Sequence, residues 1–409
     1  MKVAVVGLGY IGLPTALLLA SAGNEVVGID IDRKKVDKLN SGELPFQENG
    51  LDELFKNAIS KFKATHDYSS IKDVNAIIVA VPTPMKDRKM DGRYVFNAME
   101  NIGAYMKKGQ LVILESTVTP GTTEGVVKKI LEKRSSLIAG KDFYLAYCPE
   151  RAIPGDTINE MVNNDRVIGG IDEKSAEMAK DLYSTFVKGK IYLTSTTVAE
   201  MVKVVENTYR DVNIALANEL AKIAEDIGVN VYEVIQLANK HPRVNVHQPG
   251  IGVGGHCLPI DPWFLVEIYP KAKLIPTARE INEGMVERIV DVIKKHRIKK
   301  VTIFGAAYKP NVDDIRESPS LELKRLLEEN NVFVSIYDPI VYPNYSLDDA
   351  LKDSQSIVIS TAHNVFKEIK WEEIINKLND PKLIIDGRNF FEKPPQGARY
   401  YGIGRGDVN

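Results

Sequence analysis

Apolar residues along the chain follow two rhythms. Toward the N-terminus, short unbroken apolar runs alternate with stretches of helical spacing. Lys2–Val6, Glu25–Asp30, Ala76–Val81, Gln110–Glu115, Asp142–Tyr147 and Arg166–Gly170 read as buried strands, and Ile11–Ser21 as a helix. This alternation predicts a parallel sheet covered on both faces. The rhythm then changes. No Gly or Pro occurs between Lys190 and Ile227, and apolar residues recur at Val198, Met201, Val205, Tyr209, Val212, Leu216, Leu220, Ile223 and Ile227. Steps of three and four mark one face of a helix. Thr197 and Glu200 have the spacing of a capping box at its start, and Gly228 follows its end. A helix of ~30 residues is ~45 Å long. That exceeds the width of a small domain, so the helix should bridge domains or pair across a subunit interface. Thr277 and Glu280 repeat the capping spacing before another helix. Strands then return at Lys300–Phe304, Phe333–Tyr337, Ser356–Ser360 and Lys382–Ile385.

Composition narrows the class. A chain of 409 residues is too long for one ordinary core and fits two or three domains. Its 44% apolar and 26% charged residues are the balance of a soluble globular protein. A net charge of −2 provides no global field toward nucleic acid or membranes, so neither is expected as a partner. The basic run Lys294–Lys300 reads as a solvated helix end. Two cysteines, Cys148 and Cys257, make no disulfide framework and suit a reducing compartment. Lys2, the apolar run and Ala20-Ser21-Ala22 mimic a secretory signal. Gly7, Gly9, Gly12, Pro14 and the acidic residue closing the next strand fit a nucleotide-binding βαβ unit better. No other stretch approaches the ~20 apolar residues of a membrane span. A cytoplasmic location is expected.

Gly7-Leu8-Gly9-Tyr10-Ile11-Gly12 matches G-x-G-x-x-G, after a strand and at the opening of a helix. Glycine permits the tight turn and close approach of a pyrophosphate, and the helix N-terminus offers N–H groups to the phosphates. Asp30 ends the second strand, where a carboxylate accepts ribose hydroxyls and repels a 2′-phosphate, so NAD is expected over NADP. Val81-Pro82-Thr83-Pro84 and Glu115-Ser116-Thr117 each follow an apolar strand, at the ends where open α/β sheets bind ligands. The two halves also echo each other. A strand runs into glycine at Gly7 and Gly305, and the next runs into aspartate at Asp30 and Asp338. The expected fold is therefore α/β, with two Rossmann-like doubly wound domains joined by a central all-helical segment containing one long helix. The expected boundaries are 1–190, 191–295 and 296–409.

The most unusual stretch is Pro249–Asp261, in which Gly250, Gly252, Gly254 and Gly255 precede His256-Cys257, with Asp261 four residues on. The glycines are expected to leave backbone open to a close ligand. A cysteine beside such a loop is a candidate nucleophile, whereas Cys148 reads as an inert core residue. His256 is more simply structural than a base, because adjacency in sequence is not hydrogen-bond geometry. Lys203 and Asn207, four apart, share one face of the long helix. Alone, such a pair is an ordinary polar face.

Taken together, these marks resemble the UDP-glucose/GDP-mannose dehydrogenase family across essentially the whole chain. The further marks are Cys148-Pro149-Glu150-Arg151 and Tyr308-Lys309-Pro310-Asn311 with Arg316-Glu317-Ser318. The resemblance implies an NAD-binding domain, a helical dimerisation domain and a nucleotide-sugar-binding domain. It implies two hydride transfers from C6 of a UDP-sugar to NAD. Cys257 holds the aldehyde as a thiohemiacetal and then a thioester, which water hydrolyses. Lys203 and Asn207 would steady the oxyanions, and Lys203 would lower the pKa of Cys257. Asp261 and Thr117 would position water, and Glu150 would act as base. Cofactor contacts would come from Gly7, Gly9, Tyr10, Ile11, Gly12, Asp30, Arg33, Pro82, Thr83, Thr117 and Arg316. Substrate contacts would come from Glu150, Arg151, Lys203, Asn207, His247, Gly254 and Lys309. Arg243 would reach a neighbouring subunit's substrate in a homodimer or homotetramer. No metal is expected.

UDP-glucose members typically carry lysine before the loop aspartate and a small polar residue before the cysteine, where this chain has Ile260 and His256. The segments around Arg151, Arg166 and Arg243–Phe264 are most similar to members acting on UDP-N-acetyl-D-mannosamine. Members acting on UDP-N-acetylglucosamine share the His-Cys pair and are the alternative, with UDP-glucose beyond them. Two other readings differ in kind. A one-step hydroxyacid dehydrogenase needs no nucleophilic cysteine, and a silent NAD-binding scaffold has no reason to keep Lys203, Asn207, Cys257 and Asp261.

Overall fold

The N-terminal apolar runs pair into one sheet of eight strands. These are β1 (Lys2–Val6), β2 (Glu25–Ile29), β3 (Phe62–Thr65), β4 (Ala76–Val79), β5 (Leu111–Leu114), β6 (Tyr144–Tyr147), β7 (Arg166–Gly170) and β8 (Ile191–Ser195). Their spatial order is β8-β7-β6-β5-β4-β1-β2-β3. Neighbours run parallel except β6 and β7, so the sheet is not parallel throughout as the alternation predicted, and β7 and β8 are reversed. The runs lack polar alternation because both faces are covered. Val3 and Val5 face one core, while Ala4 and Val6 face the other.

The computed structural model describes residues 1–409, and the chain folds as two units. One comprises residues 1–206 and 263–269, and the other residues 207–262 and 270–409. The second unit holds an all-parallel sheet of β9 (Lys300–Phe304), β10 (Phe333–Tyr337), β11 (Ser356–Ile359), β12 (Leu383–Asp386) and β13 (Arg399–Gly402). Its order is β10-β9-β11-β12-β13. Both sheets are thus Rossmann-like, with a reversal of strand order beside the first strand. That reversal parts the loops at the carboxyl ends and opens a crevice for ligands. The helix Leu274–Lys295 packs Met285, Ile289 and Ile293 into the same core as Val301 and Ile303 of β9.

The long helix spans Thr196–Ile227, 32 residues. Its predicted apolar stripe exists but is largely uncovered. Val198, Met201, Val205, Tyr209, Leu216, Ile223 and Ile227 are all exposed, up to 68% at Ile227. The capping reading of Glu200 is corrected. Its carboxylate accepts the Gly121 N–H at 2.5 Å and the Thr123 N–H at 2.7 Å, so it satisfies donors at the start of a different helical segment. The second capping box also fails, because that helix begins at Leu274 and Thr277 already bonds back to the Lys273 carbonyl. No helix is long and apolar enough to cross a membrane.

Candidate active site

At the carboxyl edge of the first sheet, β1 turns directly into the helix Gly12–Ser21. Gly7, at φ +92°, leaves no room for a side chain, because a Cβ would run into the Ala80 carbonyl that follows β4. Gly12 is excluded in the same way by the Gly7 carbonyl. Gly9 is different, since a Cβ there would meet no heavy atom within 4 Å. The protein's own packing does not demand glycine at Gly9, whereas a pyrophosphate pressed against the turn would. Asp30, after β2, accepts the Leu8 N–H at 2.8 Å and the Asp32 N–H at 2.9 Å, and pairs with Lys35 at 2.8 Å. The carboxylate is therefore fixed against the glycine turn, as a ribose acceptor must be. Arg33 is exposed at the start of the helix Arg33–Asn40, and the Tyr10 ring packs on Phe46 at 4.4 Å. These residues fit NAD.

The neighbouring loops are tied together. The Ser116 hydroxyl accepts the Val81 N–H at 2.9 Å and donates to the Val81 carbonyl at 2.7 Å. This one side chain holds Val81-Pro82-Thr83-Pro84 against Glu115-Ser116-Thr117. Glu267 adds a second tie, accepting the Met90 N–H at 3.1 Å and the Thr119 hydroxyl at 3.0 Å. Glu150 follows β6, nearly buried. Its Oε1 accepts the N–H groups of Arg151 at 2.6 Å and Ala152 at 2.8 Å. Arg151 pairs with Glu206 at 2.8 Å. Lys203 is buried on the long helix.

In the second unit, Cys257 is exposed. Its carbonyl accepts the N–H of Ile260 at 3.1 Å and of Asp261 at 2.8 Å, a turn that leads into the helix Asp261–Ile268. Asp261 is buried, and its Oδ2 accepts from the Asn207 amide at 2.6 Å. The structure thus joins Asn207 to Asp261 next to the cysteine turn. The glycines of this loop prove to be packing residues. A Cβ on Gly254 would lie 2.7 Å from the Glu317 carbonyl, Pro319 Cδ and Tyr308 Cβ, and one on Gly255 2.9 Å from the Tyr308 ring. The Gly255 N–H bonds to the Arg316 carbonyl at 3.0 Å. The expectation of backbone left open for a ligand is therefore corrected here. The space is filled by Tyr308–Pro319, which also carries Lys309 and Arg316. His256 sits in the same wall, its pKa held below the ordinary value by burial and by the Arg316 guanidinium. Arg243 is exposed, and the His247 ring meets Tyr209 edge-on at 6.2 Å.

The β9 turn copies the β1 turn with one change. Asp338, after β10, accepts the N–H groups of Ala306 at 2.7 Å and Ala307 at 3.2 Å, and also bonds His363 at 3.0 Å. Both Asp338 and His363 are fully buried.

Comparison with known proteins settles the grouping. The model of the UDP-glucose/GDP-mannose dehydrogenase family NAD binding domain matches residues 1–187, the central domain 197–284 and the UDP binding domain 302–393. The chain belongs to this family. It is an NAD-dependent nucleotide-sugar dehydrogenase. A UDP-N-acetyl-D-mannosamine dehydrogenase of Methanococcus vannielii is 49% identical over 95% of this chain and 92% of its own. The solved UDP-D-ManNAc dehydrogenase of Pyrococcus horikoshii superposes with a TM-score of 0.95 at 45% identity, covering 100% of both chains. The Staphylococcus aureus UDP-N-acetyl-mannosamine dehydrogenase superposes at 0.89 with 42% identity, covering 99% of each.

Within the dehydrogenase's UDP binding domain, sequence reasoning missed Arg388. It follows β12 and donates from Nε to the Ser360 carbonyl at 2.7 Å, after β11. Gly250 packs so tightly on it that a Cβ would lie 2.6 Å from Nη1. Burial depresses its pKa, and no carboxylate pairs with it. A half-buried guanidinium without an acid, at the carboxyl ends of parallel strands, suits an anionic ligand. The signal in the sequence was an arginine three residues beyond the last apolar run.

Proposed function

We propose that this dehydrogenase oxidises C6 of UDP-N-acetyl-D-mannosamine to the carboxylate in two steps, with Cys257 as covalent nucleophile. One observation carries the chemistry. An exposed thiol sits on a turn whose carbonyl receives the N–H groups of Ile260 and Asp261, where the Asp261 helix begins, and Asp261 is bonded to Asn207. The names of the relatives at 49% and 45% identity support the choice of sugar.

NAD would supply the hydride acceptor for each oxidation, one molecule per hydride, with a second NAD replacing the first NADH. Gly7, Gly9, Tyr10, Ile11 and Gly12 would hold its pyrophosphate, and Asp30 and Arg33 its adenosine end. Pro82, Thr83, Thr117 and Arg316 would line the rest. Cys257 adds its sulfur to the C6 aldehyde, giving a thiohemiacetal, and retains the carbon as a thioester after the second oxidation. Lys203 and Asn207 stabilise the oxygen that carries negative charge in each tetrahedral state. Asp261 and Thr117 position a water, Glu150 takes its proton, and the thiolate leaves as the carboxylate forms. Arg151, His247, Lys309 and Arg388 serve the UDP-sugar, with the diphosphate meeting the basic side chains. These roles fall on segments 1–190, 191–295 and 296–409. The exposed stripe on the long helix supports a dimer in which Arg243 reaches the partner's substrate.

The test is a panel of UDP-sugars with NADH counted per sugar consumed. UDP-N-acetylmannosamine should give the highest kcat/KM and two NADH. A higher kcat/KM for UDP-N-acetylglucosamine or UDP-glucose refutes the substrate, and one NADH per sugar refutes the two-step chemistry.

A further inference from the structure

Beneath the Glu150 loop lies a buried polar cluster that the reaction above does not use. Arg166, on β7, is 3% exposed. Its Nη2 donates to Glu150 Oε2 at 2.6 Å and to the Met161 carbonyl at 3.2 Å. Its Nη1 lies 3.9 Å from Glu115 Oε1 and 3.8 Å from Cys148 Sγ. Its Nε is buried without a partner. Glu115, at the end of β5, accepts the Tyr183 hydroxyl at 2.9 Å and the Thr15 hydroxyl at 3.2 Å. Thr15 comes from the helix behind the glycine turn, Tyr183 from the helix Glu173–Tyr183, and Cys148 and Glu150 from the segment after β6. Burial pushes the Cys148 thiol up to about 12, so it adds no charge.

Two carboxylates therefore face one guanidinium out of water. With both ionised, the cluster carries an uncompensated buried negative charge, which is costly. The geometry decides which carboxylate yields. Glu150 holds the short charged bond and two backbone N–H groups. Glu115 has two neutral hydroxyls and a longer reach to Arg166. Burial pushes Glu115 up to about 7.

We propose that Arg166 and Glu115 are positioning residues for Glu150, with Arg166 fixing its carboxylate and the proton on Glu115 setting how much of the guanidinium's charge Glu150 keeps. The proposal rests on Glu150 acting as the base for thioester hydrolysis. With Glu115 ionised, Arg166 is shared and Glu150 is the stronger base. With Glu115 protonated, the whole charge falls on Glu150 and weakens it. The proton exchanges between Glu115 and solvent, and no covalent bond changes.

The experiment is single-turnover carboxylate formation by the full-length enzyme with its UDP-sugar and saturating NAD. The parent rate should rise roughly threefold between about pH 6 and about pH 8.5. Glu115→Gln should be flat over that range, at the parent's low-pH rate. Tyr183→Phe removes a donor to ionised Glu115 and should move the midpoint upward. A Glu115→Gln enzyme that keeps the parent's profile overturns the proposal and leaves Glu150 as base. Should that variant fail to fold, an unmoved midpoint in Tyr183→Phe overturns it equally. A Glu150→Gln enzyme at the parent's rate instead removes the base assignment itself.

Discussion

Replacing Gly254 with alanine separates two accounts of the glycine loop. The new Cβ would lie 2.7 Å from three atoms, the Glu317 carbonyl oxygen, Pro319 Cδ and Tyr308 Cβ, when ordinary contact begins at 3.4 Å. The two loops must part by about 0.7 Å, and a backbone oxygen and a proline ring offer no rotamer to relieve them. Overpacking of this kind costs ~1–3 kcal/mol. For a domain of this size that lowers Tm by roughly 2 to 12 °C. The same displacement acts three residues before Cys257, and misplacing a reacting group by about an ångström costs on the order of 100-fold in rate. Gly9→Ala is the counterpart. Nothing lies within 4 Å of its Cβ. Its stability should stay within about 0.5 kcal/mol of the parent, while KM for NAD rises roughly tenfold or more. Melting curves and NADH absorbance with saturating UDP-sugar read both effects. A Gly254→Ala enzyme with the parent's Tm and kcat would falsify the packing account. A Gly9→Ala enzyme with unchanged KM would remove the pyrophosphate account.

Three further outcomes are expected. Cys257→Ala should bind UDP-sugar normally but make no carboxylate, and Cys257→Ser should stall with an ester visible by mass spectrometry; two NADH per sugar from the alanine enzyme at the parent's rate rules out the covalent route. If the exposed apolar stripe pairs two chains as proposed, the parent should scatter light as a dimer and Met201→Glu with Leu216→Glu as a monomer, since each places charge on the stripe; an unchanged mass refutes pairing through this stripe. Asp338 is held at about 2, because the His363 bond and the Val341 and Ala306 N–H groups outweigh the effect of burial. A carboxylate with a depressed folded pKa stabilises fully above its unfolded value near 3.8, and that contribution fades toward about 2. Asp338→Asn should therefore cost roughly 2 kcal/mol in urea unfolding at neutral pH, with the gap narrowing as pH falls through this window. A gap that stays constant with pH points to packing instead.

Much of the fold could be read from residue order, because buried parallel strands leave unbroken apolar runs that need no partner to be recognised. The strands at Phe62–Thr65, Ile191–Ser195 and Arg399–Gly402 escaped, each at the edge of its sheet and only partly covered. Glu200 misled because an acid three residues after a threonine is a local pattern, whereas its actual partners, Gly121 and Thr123, are far away in sequence. The glycine turn after β1 was legible because its residues are contiguous. Arg388 and Arg166 were not, since what distinguishes them is the partner each has or lacks in space. The glycine loop stood out in the sequence but was given the wrong reason for its glycines, because glycine looks the same in sequence whether a ligand or a neighbouring loop requires it.

The Asp338–His363 pair has a consequence for how the second half of the molecule could be repurposed. In the first half the equivalent carboxylate, Asp30, still has 8% of its surface open, while Asp338 has none. Its acceptor sites are taken by backbone N–H groups and by His363, whose other nitrogen receives the Asn311 N–H at 2.9 Å. A carboxylate spent on holding the Ala306–Asn311 turn has no lone pair left for a sugar hydroxyl. Grafting the Gly7–Gly12 sequence onto the Gly305 turn should therefore not create a second dinucleotide site. In this half of the molecule the aspartate braces its own turn.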